Sequence, residues 1–417
     1  MVNASCLTSS TRLLEIAVKK SWFCIGALIA SPQVVFAQSS VTLYGLVTAG
    51  VTYVNNTGKG PVYESETCAP PGCNRWGLKG REDLGGGNAA IFTLENGFNI
   101  QNGRLGQGGT EFGRQAFVGL TNNYGTITLG RQYDSLSDTV GMFPSSNNFA
   151  TGYGSHFGDL DNLNQSIRIN NVVKYVSPVW NGLQVDGMFS LGGQAGDFST
   201  NRVWALAGSY TAGPFAFAAG YLDINTPATN ANGTGGVYAS NGNYVGSLSN
   251  YVALQDANTM KVLSAGASYS IGNANVGLVY SHTVLKNSQY FVANGFANAG
   301  SGSDFKLDSY EVTATYRFTP ALLVGGAYIY NAGKADYEGL KPTFQQINLG
   351  ANYSLSKRTS LFAVAVFQKA GGDGIAPVFN SAGANVGRTA TAEIAGAGVD
   401  SSSAKQVLVS VGITHTF

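Results

Sequence analysis

Apolar and polar residues alternate along most of this chain. The last eleven residues, 407–417, set the pattern: Val407, Val409, Val411, Ile413, His415 and Phe417 share one parity, and Ser410, Gly412, Thr414 and Thr416 the other, with Leu408 the exception. Successive strand side chains point to opposite faces, so this is a ribbon with one apolar and one small polar face. Near the other end Val41, Leu43, Gly45, Val47, Ala49, Val51 and Tyr53 oppose Thr42, Tyr44, Thr48, Gly50 and Thr52. An aliphatic strand left unpaired at a terminus invites aggregation; pairing last strand with first removes both edges. Alternation alone does not say which face is wet. A transmembrane barrel and a sandwich with its apolar faces packed together both satisfy it.

The rest of the chain separates the two. Counting alternating segments predicts about 16 strands, with 360–367 apolar on both faces and therefore of uncertain register. Their connections alternate in length. Short turns (84–87, 177–182, 270–274) take every second junction, and long Gly/Asn/Ser-rich loops (54–74, 225–260, 286–307, 371–405) take the others. Aromatic residues such as Tyr269, Tyr316, Tyr328 and Tyr353 gather near strand ends. Outer-membrane barrels share that asymmetry and those girdles, whereas a sandwich has no reason to keep them. The fold class expected is all-β: a transmembrane antiparallel β-barrel.

Composition agrees. Charged residues are 11% of the 417, while Gly (56), Tyr (21) and Phe (22) are abundant. Arg12, Lys19 and Lys20 precede a short apolar run at 22–30 and a small-residue site at 35–37, the layout of a cleaved export signal over residues 1–37. Cleavage would leave one barrel domain, 38–417, in which 24 Lys+Arg and 23 Asp+Glu fall to 21 and 22, net −1. That balance lacks the basic excess of a nucleic-acid binder. Cys68 and Cys73, around Pro-Pro-Gly, are expected to staple a small loop by a disulfide; a metal site lacks a nearby His or third Cys. His156, His282 and His415 sit in no triad or metal motif, and Gly85–Gly87 reads as a turn, so no catalytic, metal or cofactor site is expected.

Several segments together resemble the general-diffusion porins of Gram-negative outer membranes, of β-proteobacterial type. They are Ser-Val-Thr-Leu-Tyr-Gly at 40–45, Arg-Trp-Gly-Leu-Lys-Gly at 75–80 with Glu-Asp-Leu-Gly-Gly-Gly at 82–87, Phe-Gly-Arg-Gln-Ala-Phe-Val-Gly-Leu at 112–120, Gly-Thr-Ile-Thr-Leu-Gly-Arg-Gln at 125–132, and His-Thr-Phe at 415–417. The resemblance implies a homotrimer of 16-stranded barrels in outer-membrane lipid, each with a water-filled pore for ions and small hydrophilic solutes. It implies that Phe417 is an assembly signal for the barrel-insertion machinery, and that 133–169 is an infolded constriction loop. Facing the loop, the motif positions give a basic wall of Arg75, Arg131 and Arg168, with Arg114 a further candidate. Each of these otherwise reads as a solvated rim residue. Parity supports Arg75, but Arg131 shares its side with Ile127 and Leu129 and requires a bulge or a strand end. Asp134, Asp138 and the inward-parity Glu95 are the acidic candidates; the Pro-Glu-Phe-Gly of some porin loops is missing. The expectation is a passive channel with an anion preference. Its rivals are a substrate-specific channel and a secreted β-rich adhesin or binding protein.

Overall fold

The computed structural model describes residues 39–66, 68–69, 72–193, 195–225, 244–245, 254–397 and 401–417. The predicted leader, 1–37, lies outside the described residues. The wall consists of β1 (Ser40–Val54), β2 (Arg75–Gly85), β3 (Asn88–Gly97), β4 (Gln115–Asn122), β5 (Gly125–Gln132), β6 (Ile167–Val176), β7 (Leu183–Ser190) and β8 (Val203–Ala212). It continues with β9 (Phe215–Asn225), β10 (Thr259–Ile271), β11 (Ala274–Ser288), β12 (Ser303–Arg317), β13 (Leu322–Ala335), β14 (Pro342–Ser354), β15 (Thr359–Gly372) and β16 (Lys405–Thr416). These sixteen form a closed antiparallel barrel; the short strands Val62–Glu66 and Tyr244–Val245 extend the same sheet.

Closure runs through β1, which serves two neighbours. Its first half pairs with β2 (Ser40 to Arg81, Leu46 to Arg75) and its second half with β16 (Leu46 to Thr416, Val54 to Leu408). The seam ends in reciprocal backbone bonds between Gly45 and Phe417, 3.1 Å each way. The wall therefore has no free edge, which lipid would not tolerate.

Which face is wet is settled by exposure. Val411 is 50% exposed while its neighbour Ser410 is fully buried, and the same holds for Leu349 against Asn348. The aliphatic face points away from the lumen on every strand tested by sequence parity, as a lipid-facing wall requires. The run Gly85-Gly86-Gly87 carries φ of 82°, 62° and 81°, left-handed backbone that glycine adopts without strain, and makes the turn from β2 to β3.

The lumen face departs from the sequence picture of uniform polarity. Phe362, Val364 and Val366 on β15 and the exceptional Leu408 on β16 are buried inward, under Phe149, Ile394 and Ala397 of the long loops. A larger cluster lines the external half of β6–β14, where Ile169, Met188, Leu222, Val262 and Phe344 meet Leu136, Phe143, Phe157 and Leu163. The strands are apolar on both faces where external loops fold back onto them, which is why the 360–367 pattern gave no register.

An arginine placed on the lipid face should be costly, whereas the fold tolerates polar residues inward. Leu349→Arg is expected to lower stability in lipid vesicles by about 2–4 kcal/mol, measured by reversible denaturant unfolding.

Candidate functional site

The connection from β5 to β6 turns into the barrel. It opens with Tyr133 and the one-turn helix α1 (Ser135–Thr139), capped by Asp134, whose Oδ1 accepts from Ser137 N at 2.9 Å. From there the loop travels around the inner wall. Leu136 reaches Gly220 on β9, Phe143 lies on Gly266 of β10, and Phe149 lies on Gly325 of β13 and Gly350 of β14. A Cβ at Gly266, Gly325 or Gly350 would sit 2.4–2.5 Å from loop atoms, so only glycine lets the aromatic rings approach the sheet. Phe157 stacks on Phe344 at 3.8 Å between centroids.

Polar anchors complete the attachment. Asn348 Nδ2 donates to Ser145 Oγ (2.9 Å) and Gly154 O (3.0 Å), and Ser145 N donates to Glu311 Oε1 at 2.9 Å. His156 bridges Asp161 (Nδ1 to Oδ2, 2.5 Å) and Glu311 (Nε2 to Oε2, 3.1 Å), and Ser281 Oγ donates to Asp161 at 2.5 Å. Burial alone would push the His156 pKa down. The two carboxylates more than offset that and raise it to about 10, so the ring is a cation held between anions. At the loop's start Lys174 of β6 contacts Asp138 (2.5 Å), Asp186 (3.1 Å) and Tyr133 O (3.3 Å), and Ser135 Oγ donates to Asp186 at 2.6 Å.

The opposite wall gathers the guanidinium groups. Arg75 on β2, Arg114 just before β4 and Arg168 on β6 line one cavity of about 70 Å³ with Ser146, Asn147 and Thr151 of the loop. Arg114 and Arg168 also line an adjoining space of about 230 Å³. Arg114 Nε donates to Glu95 Oε1 at 2.7 Å, and Arg75 lies 3.7 Å from the same carboxylate. Tyr44 OH donates to Glu95 Oε2 at 3.0 Å. Tyr133 offers its ring face to both Arg114 and Arg168, with centroids 5.9 and 5.1 Å away, and its hydroxyl accepts from Arg168 Nη2 at 3.2 Å.

The sequence-derived residues thus divide. Arg75, Arg114 and Arg168 come together, and Glu95 sits among them on the same wall rather than across the lumen. Arg131 does stand at a bulge, the register slipping between Gly130 and Gln132 opposite β6. Its guanidinium, however, is held by wall carbonyls and Asn170, with Nε donating to Gly113 O at 2.8 Å, and it lines neither arginine cavity. Asp134 is turned into its own helix cap and Asn162 Nδ2 (2.6 Å), and burial pushes its carboxyl above the usual range against the Ser137 N–H. Asp138 is taken by Lys174. Neither carboxylate faces the arginines. Cys68 and Cys73 are register partners in a short hairpin, Cα–Cα 3.9 Å, and are joined as a disulfide. Cys73 lines both arginine cavities. Phe417 closes the seam already described.

Sequence reasoning left out Lys79, which sits two steps from Arg75 on the same face of β2 and 5.3 Å over the Tyr44 ring; parity was sufficient to find it. It also left out Lys174, His156 and Glu311. Lys174 and Glu311 meet their partners on other elements and nothing local marks them, whereas His156 has its partner Asp161 five residues on.

A closed sixteen-stranded barrel with an inward loop and a charged lumen defines an outer-membrane channel protein. A family model described as Gram-negative porin matches residues 25–373. The chain is 30% identical over 382 residues to an outer membrane porin of Bordetella pertussis, covering 84% of this chain and 94% of that one. It is 29% identical over 414 residues to outer membrane porin protein 32 of Delftia acidovorans, covering 96% and 100%. Among solved structures, an anion-selective porin from Comamonas acidovorans superposes with a TM-score of 0.67 at 24% identity, covering 91% of this chain and all of that one. The chain belongs to the Gram-negative porin family, and it is a passive diffusion channel of the outer membrane.

The His156 anchor has a pH signature. A folded-state pKa of about 10, above the ordinary 6.5, contributes stability that is fully present below pH 6.5 and is lost as pH rises through 10. The thermal stability of the barrel is expected to fall between pH 7 and 11 more in the native protein than in His156→Asn, read by heat-induced loss of β-sheet circular dichroism. Equal pH slopes would remove His156 from the loop's anchorage.

Proposed function

We propose that this porin prefers small anions, and that Arg75, Arg114 and Arg168 are the residues that set the preference. One observation carries the reading: among the described residues three guanidinium groups and no carboxylate line one cavity, two of them pair with Glu95 behind it, and every loop carboxylate is bonded elsewhere. Asp159 accepts from Asn164 N (2.9 Å) and Ser166 N (3.2 Å), and Asp161 is bound to His156 and Ser281. What faces the arginines from the loop is neutral: Ser146, Asn147, Thr151, Asn164 and Gln165. The constriction is one-signed rather than a field between opposed charges. Arginine stays charged at any working pH, and a narrow passage with low-dielectric walls focuses its potential on passing ions. The anion selectivity of the Comamonas acidovorans structure supports the same direction.

The loop 133–169 narrows the pore by filling the β9–β14 side, leaving the arginine wall to line the passage. The chain is exported through a leader at 1–37 and works as a homotrimer in outer-membrane lipid, inserted by the barrel-assembly machinery through the strand ending at Phe417. A Vibrio cholerae barrel of the same fold, solved in trimer form, is consistent with that assembly.

The test is the zero-current potential of single channels in a tenfold KCl gradient. Native protein is expected to show chloride preference. Arg75→Ala with Arg168→Ala should shift the potential toward the cation side and raise conductance, while Asp138→Asn leaves the sign unchanged. An unaltered potential in the double variant would take these arginines out of the filter. Liposome swelling that is uniform across small sugars would separate a general pore from a substrate-specific one.

A further inference from the structure

The external mouth holds a pocket that the arginine filter does not use. It lies between the β11–β12 and β15–β16 connections, and its volume is about 360 Å³. The second connection supplies most of the lining, through a short hairpin of Ala376–Phe379 against Asn385–Thr389 and the segment after it. That segment returns onto the wall: Glu393 N donates to Gln368 Oε1 at 2.6 Å and Ile394 N to Gln406 Oε1 at 2.7 Å. Gln368 of β15 and Gln406 of β16 are register partners, both buried, near the external ends of their strands. They share the inward parity of Val366 and Leu408, so the pocket stands on the lumen side of the entrance.

Its walls are tied together. Tyr290 OH donates to Ile375 O at 3.0 Å and Asn385 Nδ2 to Asn294 O at 2.9 Å, which joins the two connections. Ala392 N donates to Ser403 O at 2.9 Å, and Asn56, just past β1, donates from Nδ2 to Ser401 Oγ at 2.8 Å. A pocket braced in this way asks little ordering of a ligand's partners. Its chemistry is mixed. Glu393, 3% exposed, presents a carboxylate among the hydroxyls of Thr389, Thr391, Ser401 and Ser402. Among the described residues no lysine, arginine or histidine lines it, and Arg388 beside it is engaged by Glu338 Oε2 at 2.6 Å. An ionised carboxylate only accepts hydrogen bonds, so it repels an anion and favours a ligand that donates. Phe379, 52% exposed, adds an open ring face. An organic cation is held best by several ring faces. Tyr290, the other ring here, is 2% exposed, with Phe291 and Phe296 at 5.2 and 6.4 Å between centroids. An acceptor, a set of hydroxyls and one free ring match a molecule that carries many hydroxyls on an apolar skeleton.

We propose that this pocket docks a neutral monosaccharide on its way into the channel, with Glu393 accepting from sugar hydroxyls and Phe379 covering the apolar face of the ring. The volume lies within the range of small-molecule sites, about 300–1,000 Å³. An uncharged solute gains nothing from the field of the arginines, so capture at the entrance raises its concentration where electrostatic focusing does not. The site rests on the channel reading but not on the anion preference: it shares no lining residue with either arginine cavity.

The experiment is saturation-transfer NMR of the purified barrel, in a detergent without a sugar head group, titrated with methyl glucoside, methyl galactoside, methyl riboside or tetramethylammonium. The native protein is expected to bind at least one glycoside saturably and to leave tetramethylammonium free. Glu393→Gln should weaken that glycoside about tenfold, the effect of a hydrogen bond to a charged acceptor. Phe379→Ala, at an exposed position where folding is not at stake, should also weaken it. The proposal is overturned by a native protein that binds none of the glycosides, by tetramethylammonium displacing the bound one, or by either variant binding like the native protein. The zero-current potential is scored apart: channels without chloride preference that still bind the glycoside would remove the arginine filter and leave this site standing.

Discussion

Backbone hydrogen bonding in a medium without water governs everything else here. Each N–H and C=O in the wall must find a partner in the sheet, because an unsatisfied group in hydrocarbon costs several kcal/mol. The double service of β1, shared between β2 and β16, is how sixteen strands meet that demand without an edge. Once the sheet is closed, a side-chain period of two sorts residues between lipid and lumen with no further instruction.

The connection from β5 to β6 packs onto the inner wall of the barrel. The device is a pairing of loop aromatics with wall glycines: Phe143 on Gly266, Phe149 on Gly325 and Gly350. Deleting a buried Phe side chain costs about 3–5 kcal/mol in a packed core, so these contacts are strong enough to hold a loop in place. The charged anchors add direction more than strength. Lys174 with Asp138 and Asp186, and His156 with Asp161 and Glu311, are buried sets in which losing one member strands the others. They fix where the loop lies and so which wall stays open.

The consequence for chemistry is a division of labour among carboxylates. The loop's four aspartates all serve its own fold, so the arginines opposite keep their excess charge. Anion preference in this reading arises from what the loop's acids are already bound to.

Strand existence, wall polarity and turn alternation were legible in the sequence because each depends only on neighbours one or two residues apart. Parity placed Arg75 and Glu95 inward, and it flagged Arg131 as needing the bulge that stands at Gly130–Gln132. Parity gave no register at 360–367 and left Leu408 as an exception because a loop covers the lumen there, and a residue cannot announce that a segment far along the chain will lie on it. The role of Asp134 and Asp138 was hidden for the same reason: their charge was plain, but Asn162 and Lys174 decide where it points. Local alternation determined the barrel; the long-range folding of its loops alone decided which charges line the passage.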